Sequence, residues 1–76
     1  MTYSEKNRYI AYMALEHELK KIAKKGASLY LEGRKSDAKE IAAACIFNEE
    51  TNYMRDYVWS ESGRLAQLKF DAVNNI

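Results

Sequence analysis

His17 lies between two carboxylates, in the run Glu16-His17-Glu18. An imidazole can ligate a metal or change charge near neutral pH. On a helix a second ligand would stand three or four residues on, and those positions are Lys20 and Lys21. With no CxxC, HxxxH or HxxE spacing in the chain, no metal site is expected. Cys45 is the single cysteine. Reactive thiolates favour helix N-termini and neighbouring bases, whereas Cys45 falls near the end of an alanine-rich helix, so a buried structural thiol is expected. Glu49, Glu50, Asp56, Glu61 and Asp71 are scattered, and a catalytic pair would need two of them to meet across a cleft. The chain has no glycine-rich phosphate loop and no nucleophile elbow. No catalytic residue, cofactor or small-molecule substrate is inferred.

Two groups of side chains carry the binding chemistry. Lys20, Lys21, Lys24 and Lys25 cover two adjacent rows of a helix, with Arg34, Lys35 and Lys39 beyond them. Such a patch can grip phosphates, and it can equally be a solvated face paired with Glu16 and Glu32. The second group is aromatic, in a chain with six tyrosines and one tryptophan. Tyr53, Tyr57 and Trp59 interleave with Arg55, and Lys69 is expected on the same surface. Tyr, Trp and Arg are the residues that dominate protein interfaces, and aromatic rings beside cations also suit base stacking. Protein contact, including self-association, ranks first and nucleic acid second.

The elements that must position these groups fit in a single domain over residues 1–76, near the lower size limit for one hydrophobic core. At this size nearly every apolar residue is needed for folding, and a second copy or a partner is a common remedy. Twelve basic and eleven acidic residues leave a net charge of +1, so bulk charge does not select nucleic acid and any basic surface must be local. One cysteine allows no intrachain disulfide, and no run of 18 apolar residues exists to form a membrane helix. The first residues, Met1 to Lys6, lack the apolar core of a signal peptide, so a cytoplasmic location is expected.

From about Thr2 to about Glu32, Tyr12, Leu15, Leu19, Ile22, Gly26 and Leu29 recur in steps of three and four. Tyr9, Ile10 and Met13 widen that stripe, and Thr2 with Glu5 fits a capping box. The pattern predicts one long helix, bent at Gly26 and ending at Gly33. Ser36 and Asp37 offer an N-cap for a second helix from about Asp37 to Phe47, rich in alanine along Ala38, Ala42, Ala43 and Ala44. A short turn then folds the two back as an antiparallel αα-hairpin, with Gly26 facing Ala38 or Ala42.

The last third changes period. Ala66, Leu68, Phe70 and Ala72 alternate with Gln67, Lys69 and Asp71, which predicts a strand. Tyr53–Trp59 is its expected partner across Ser60-Glu61-Ser62-Gly63, with Gly63 in the left-handed position of the loop. Continued from Ser60 opposite Arg64, the register sets Val58 against Ala66, Asp56 against Leu68 and Met54 against Phe70. Met54, Val58, Ala66, Leu68 and Phe70 would then cover the helices, with Asp56 among them. Tyr53, Arg55, Tyr57, Trp59, Leu65, Gln67 and Lys69 would form the outer face.

An all-α alternative treats Asn48 as the cap of a third helix with Tyr53, Met54, Tyr57 and Val58 as its stripe. Residues 37–58 then loosely resemble a helix-turn-helix, through Glu40-Ile41-Ala42 and Asn48-Glu49-Glu50-Thr51. Ile46 stands where such motifs usually turn on glycine, and Asn52 where they bury an aliphatic residue. The resemblance would imply a small nucleic-acid-binding regulator, using that segment or the patch of Lys20, Lys21, Lys24, Lys25, Arg34 and Lys35. The preferred reading is an α+β domain acting as a non-catalytic regulatory or inhibitory interaction protein. Its contact residues would be Tyr53, Arg55, Tyr57, Trp59 and Lys69.

Overall fold

The computed structural model describes residues 3–48 and 50–73. Thr2 of the expected capping box and Glu49 of the alternative third helix lie outside the described residues. The first helix, α1, spans Tyr3–Lys24, and Leu15, Leu19 and Ile22 are the residues it gives to the core. It stops well short of Gly33. Gly26 at φ 106° takes the left-handed position just past the last turn, and its N–H donates to the Ala23 carbonyl at 3.0 Å. The close approach expected at Gly26 is absent, since a Cβ built there meets nothing within 4 Å.

Beyond the stop, the apolar residues change period from helical steps to alternation. Ala27, Leu29 and Leu31 are buried while Ser28 and Tyr30 are half-buried, so residues read as a continuing helix form strand β1, Ser28–Leu31. Leu29 fits both periods, because it lies three residues after Gly26 and two after Ala27. A two-residue turn at Glu32-Gly33 leads into β2, Arg34–Lys35, with Leu31 opposite Arg34. Both turn residues have positive φ, 50° and 81°, the geometry whose twist matches an antiparallel ribbon and which glycine adopts without cost. The two helices are therefore joined through a β-ribbon rather than a short loop.

The second helix, α2, spans Ala38–Phe47 as expected. Asp37 caps it with extended backbone, its carboxylate accepting from the Glu40 N–H at 2.8 Å. Ser36 Oγ donates to the Glu40 carboxylate at 2.8 Å, which ties the strand exit to the first turn. Asp37→Ala should cost about 1 kcal/mol, read as a lower urea midpoint with an unchanged slope. Tyr12 meets Phe47 with ring centroids 5.3 Å apart, while Lys20, Ala23 and Lys24 lie across from Ala38 and Lys39. The N-terminal half of α1 thus meets the end of α2, and its C-terminal half meets the start, so the helices run antiparallel.

Strand β3, Asn52–Trp59, and strand β4, Leu65–Val73, complete a four-stranded mixed sheet in the order β2-β1-β4-β3. The architecture is α+β, with one sheet of four strands where a lone two-stranded hairpin was expected. Residues 52–59 are strand, which overturns the all-α alternative and its helix-turn-helix. β4 is central, parallel to β1 with Leu29 beside Leu68 and Leu31 beside Phe70, and antiparallel to β3. Leu29, Leu31, Leu68 and Phe70 meet Leu19, Ala38 and Ile41 in one core, with Leu15, Ile22, Ala44, Cys45 and Tyr53 packed around it. Both helices therefore lie on one face of the sheet. Among the described residues, no helix is long and apolar enough to cross a membrane.

Candidate interaction surface

The turn between β3 and β4 forms as the glycine signal indicates. Ser60 N–H donates to the Arg64 carbonyl at 2.8 Å, Gly63 N–H to Ser60 O at 2.9 Å, and Gly63 has φ 83°. Trp59 then pairs with Leu65, but Val58 pairs with Gln67. Ala66 is the extra residue of a β-bulge on β4, and from there the register is shifted by one. A shift of one reverses the faces. Tyr57 stands opposite Leu68, Arg55 opposite Phe70 and Tyr53 opposite Ala72, so the aromatic residues expected on the outer face share the helix side. Met54, Asp56 and Val58 move to the open face, opposite Asp71, Lys69 and Gln67. Asp56, expected on the apolar face, instead stands on the open face opposite Lys69 in the register.

Arg55 is held from three sides. Its guanidinium donates to the Glu18 carboxylate of α1 at 2.8 Å, approaches the Tyr57 hydroxyl at 3.4 Å, and lies 5.3 Å from the centre of the Phe70 ring. Partial burial works against its charge, but the bonds to Glu18 and Tyr57 outweigh that and raise its pKa. No local pattern marks Glu18 as a partner of Arg55, because the pair links residues 37 positions apart in the chain. Arg55 thus fastens the edge strand to the helix layer and is less available to a partner than its neighbours.

Those neighbours remain open. Met54, Tyr57 and Trp59 are 60%, 45% and 61% exposed, and all three lie on β3, which is an edge of the sheet. Tyr53 is half-buried against the core, and Lys69 is half-buried on the opposite face. The five residues expected to form one contact surface are therefore divided. Tyr57 and Trp59 stay together at the edge, Tyr53 and Arg55 are largely structural, and Lys69 stands apart beside Tyr30 and Asp56. Met54 joins the exposed set, having been placed by the unbulged register on the covered face.

The lysines are divided as well. Lys20 and Lys24 of α1 and Lys39 of α2 border an open hollow of ≈ 550 Å³, floored by Ala23, Ala27, Leu29 and Ala38. Lys35 and Asp37 are at its rim, and Glu16 lies 3.5 Å from Lys20. Lys25 borders a different hollow with Ile22, Arg64 and Leu65. Lys21 is exposed, and Arg34 is in the edge strand β2. A second exposed apolar area lies on α1, where Tyr9, Ile10 and Met13 remain about half exposed beyond the cover of α2.

Candidate chemistry elsewhere is sparse. Cys45 is half-buried, and burial pushes its thiol pKa up with only partial relief from Arg55, which fits a structural thiol. Burial followed by the Glu16 carboxylate raises the Tyr12 hydroxyl, which points toward Glu16 at 3.4 Å. His17 is exposed on α1. Among the described residues, no three His, Cys, Asp or Glu side chains gather as metal ligands would. Comparison with known proteins yields no relative: no family model, no curated protein and no solved structure matches this chain.

Proposed function

We propose that this chain is a non-catalytic interaction protein, regulatory or inhibitory in kind, whose contact surface is the open edge at β3. The reading rests on one observation: an eight-residue strand that, among the described residues, has no neighbour on one side and carries Met54, Tyr57 and Trp59 exposed. An unpaired edge offers a row of backbone donors and acceptors to an added strand, from a protein partner or a second copy. Large exposed side chains on both faces of that strand supply apolar area for the same contact.

The test is Trp59→Ala. A side chain 61% exposed contributes little to folding, so stability should stay within about 0.5 kcal/mol and far-UV circular dichroism should be unchanged. Association, followed by sedimentation equilibrium, should weaken about tenfold or more, as for a central interface tryptophan. An unfolded variant would place Trp59 in the core. A folded variant with unaltered association would place the contact elsewhere.

A second reading is favoured by the gathering of Lys20, Lys24 and Lys39 around one hollow. That hollow would hold the phosphates of a nucleic acid strand, in a contact set by charge. Lys24→Glu with Lys39→Glu should then lower affinity for labelled mixed-sequence DNA and RNA about tenfold or more, with a shallower salt dependence. Wild-type protein that shows no anisotropy change at low salt would eliminate this reading.

A further inference from the structure

Granting strand addition at β3, we infer that the added strand is β3 of a second copy, antiparallel and centred on Tyr57. Ser60 N–H donates to Arg64 O, so the peptide groups of Ser60 face β4. The extra residue of the bulge is on β4, which leaves the alternation along β3 unbroken. Val58, Asp56 and Met54 therefore also turn their N–H and C=O toward β4. Those of Tyr53, Arg55, Tyr57 and Trp59 point out of the sheet, where a ladder can be added.

Two identical strands that continue one sheet about a two-fold axis must oppose residues of the same face. The axis then passes through a residue pair, and only the middle of β3 permits a long ladder. Centring on Arg55 sets two guanidiniums against each other, and centring on Asp56 sets two carboxylates against each other. Like charges directly opposite are unfavourable. Centring on Tyr57 places Tyr57 against Tyr57 of the second copy. Arg55, its guanidinium kept on Glu18 and the Phe70 ring, then stands opposite Trp59 of the second copy, so no second cation faces it. Asp56 faces Val58 and Met54 faces Ser60, so no like charges meet. Tyr57 has its peptide groups outward, so the central pair is hydrogen-bonded. Of the central registers, this one combines charge compatibility with cover for the exposed Tyr57, Trp59 and Met54.

Cysteine cross-linking tests it in the full chain with Cys45→Ala, so that the native thiol cannot react. Opposed residues of a hydrogen-bonded antiparallel pair lie about 5.5 Å apart between Cα atoms, inside the range a disulfide spans. With oxidised glutathione, Tyr57→Cys should form a disulfide-linked dimer roughly tenfold faster than Arg55→Cys or Asp56→Cys, whose equivalents lie farther apart. The amides of Arg55, Tyr57 and Trp59 should be protected from hydrogen exchange in the dimer. Fastest linkage at Arg55→Cys or Asp56→Cys overturns the Tyr57 register while keeping strand addition. A monomer by sedimentation at high concentration, with no linkage at any position, overturns the second copy and leaves a foreign strand as the occupant. A dimer whose outward amides exchange freely has its interface elsewhere, and then strand addition at β3 fails too.

Discussion

Replacing Phe70 by alanine is expected to leave the chain at or beyond the edge of unfolding. Phe70 is 1% exposed and lies in β4, the strand that joins the two halves of the sheet, with Leu31 on one side and Arg55 on the other. Removing a buried phenylalanine costs about 3–5 kcal/mol in transfer and cavity terms. The Arg55 guanidinium, 5.3 Å from the ring centre, also loses the ring it rests against. A chain of 76 residues has a total stability of order 4–11 kcal/mol at ordinary values per residue. The loss is therefore about a third or more of that total, and all of it at the lower end of the range. Urea unfolding followed by circular dichroism should show a midpoint near zero or no folded baseline. Phe47→Ala is the internal contrast, since that ring is 49% exposed and its truncation should cost less than about 1.5 kcal/mol. A Phe70→Ala variant as stable as Phe47→Ala would mean that the core is not centred on β4.

Much of this core is legible because its period is unambiguous. Ala66, Leu68, Phe70 and Ala72 alternate strictly with polar residues, and Asp37 followed by Glu40 marks the start of α2. The first ribbon is concealed for a physical reason. Leu29 satisfies both a helical step from Ile22 and Gly26 and an alternation from Ala27, and a stretch of four residues is too short for period alone to decide. The face of the aromatic residues is concealed by one inserted residue. Leu65 and Ala66 are both apolar, so nothing in their chemistry marks a bulge, yet the bulge reverses every side chain beyond it. Its trace in the sequence is Asp56, a carboxylate that the unbulged register places on the apolar face. Shifting the register by one sets Asp56 against Lys69 and removes the conflict. The expected contact surface is divided for the same reason: Arg55 moves to the side where Glu18 holds it, and Lys69 stays on the other. The lysine patch divides because α1 ends before Gly26, so Lys25 falls past the last turn, beside a different hollow from Lys20 and Lys24.

Proline substitutions at two adjacent positions of β3 should have opposite consequences, and that contrast bears on both the fold and the contact surface. Proline removes a backbone N–H and is tolerated in a strand only where that N–H faces solvent. The Asp56 N–H faces β4, so Asp56→Pro removes a ladder bond between the two longest strands and leaves a carbonyl of the central strand unpaired. The expected cost is on the order of 3 kcal/mol, seen as a large fall in the urea midpoint. The Tyr57 N–H points out of the sheet, so Tyr57→Pro keeps the β3–β4 ladder and should cost about 1 kcal/mol, in part from the lost contact with Arg55 at 3.4 Å. The same substitution removes a donor from the free edge and sets a ring in the path of an added strand. Tyr57→Pro should therefore remain folded and lose association, while Asp56→Pro should unfold. Equal destabilisation by the two would contradict the alternation that turns Tyr57 outward. A folded, fully associating Tyr57→Pro protein would show that the edge of β3 is not where partners bind, since a contact made through side chains on a face survives a proline that a strand ladder cannot.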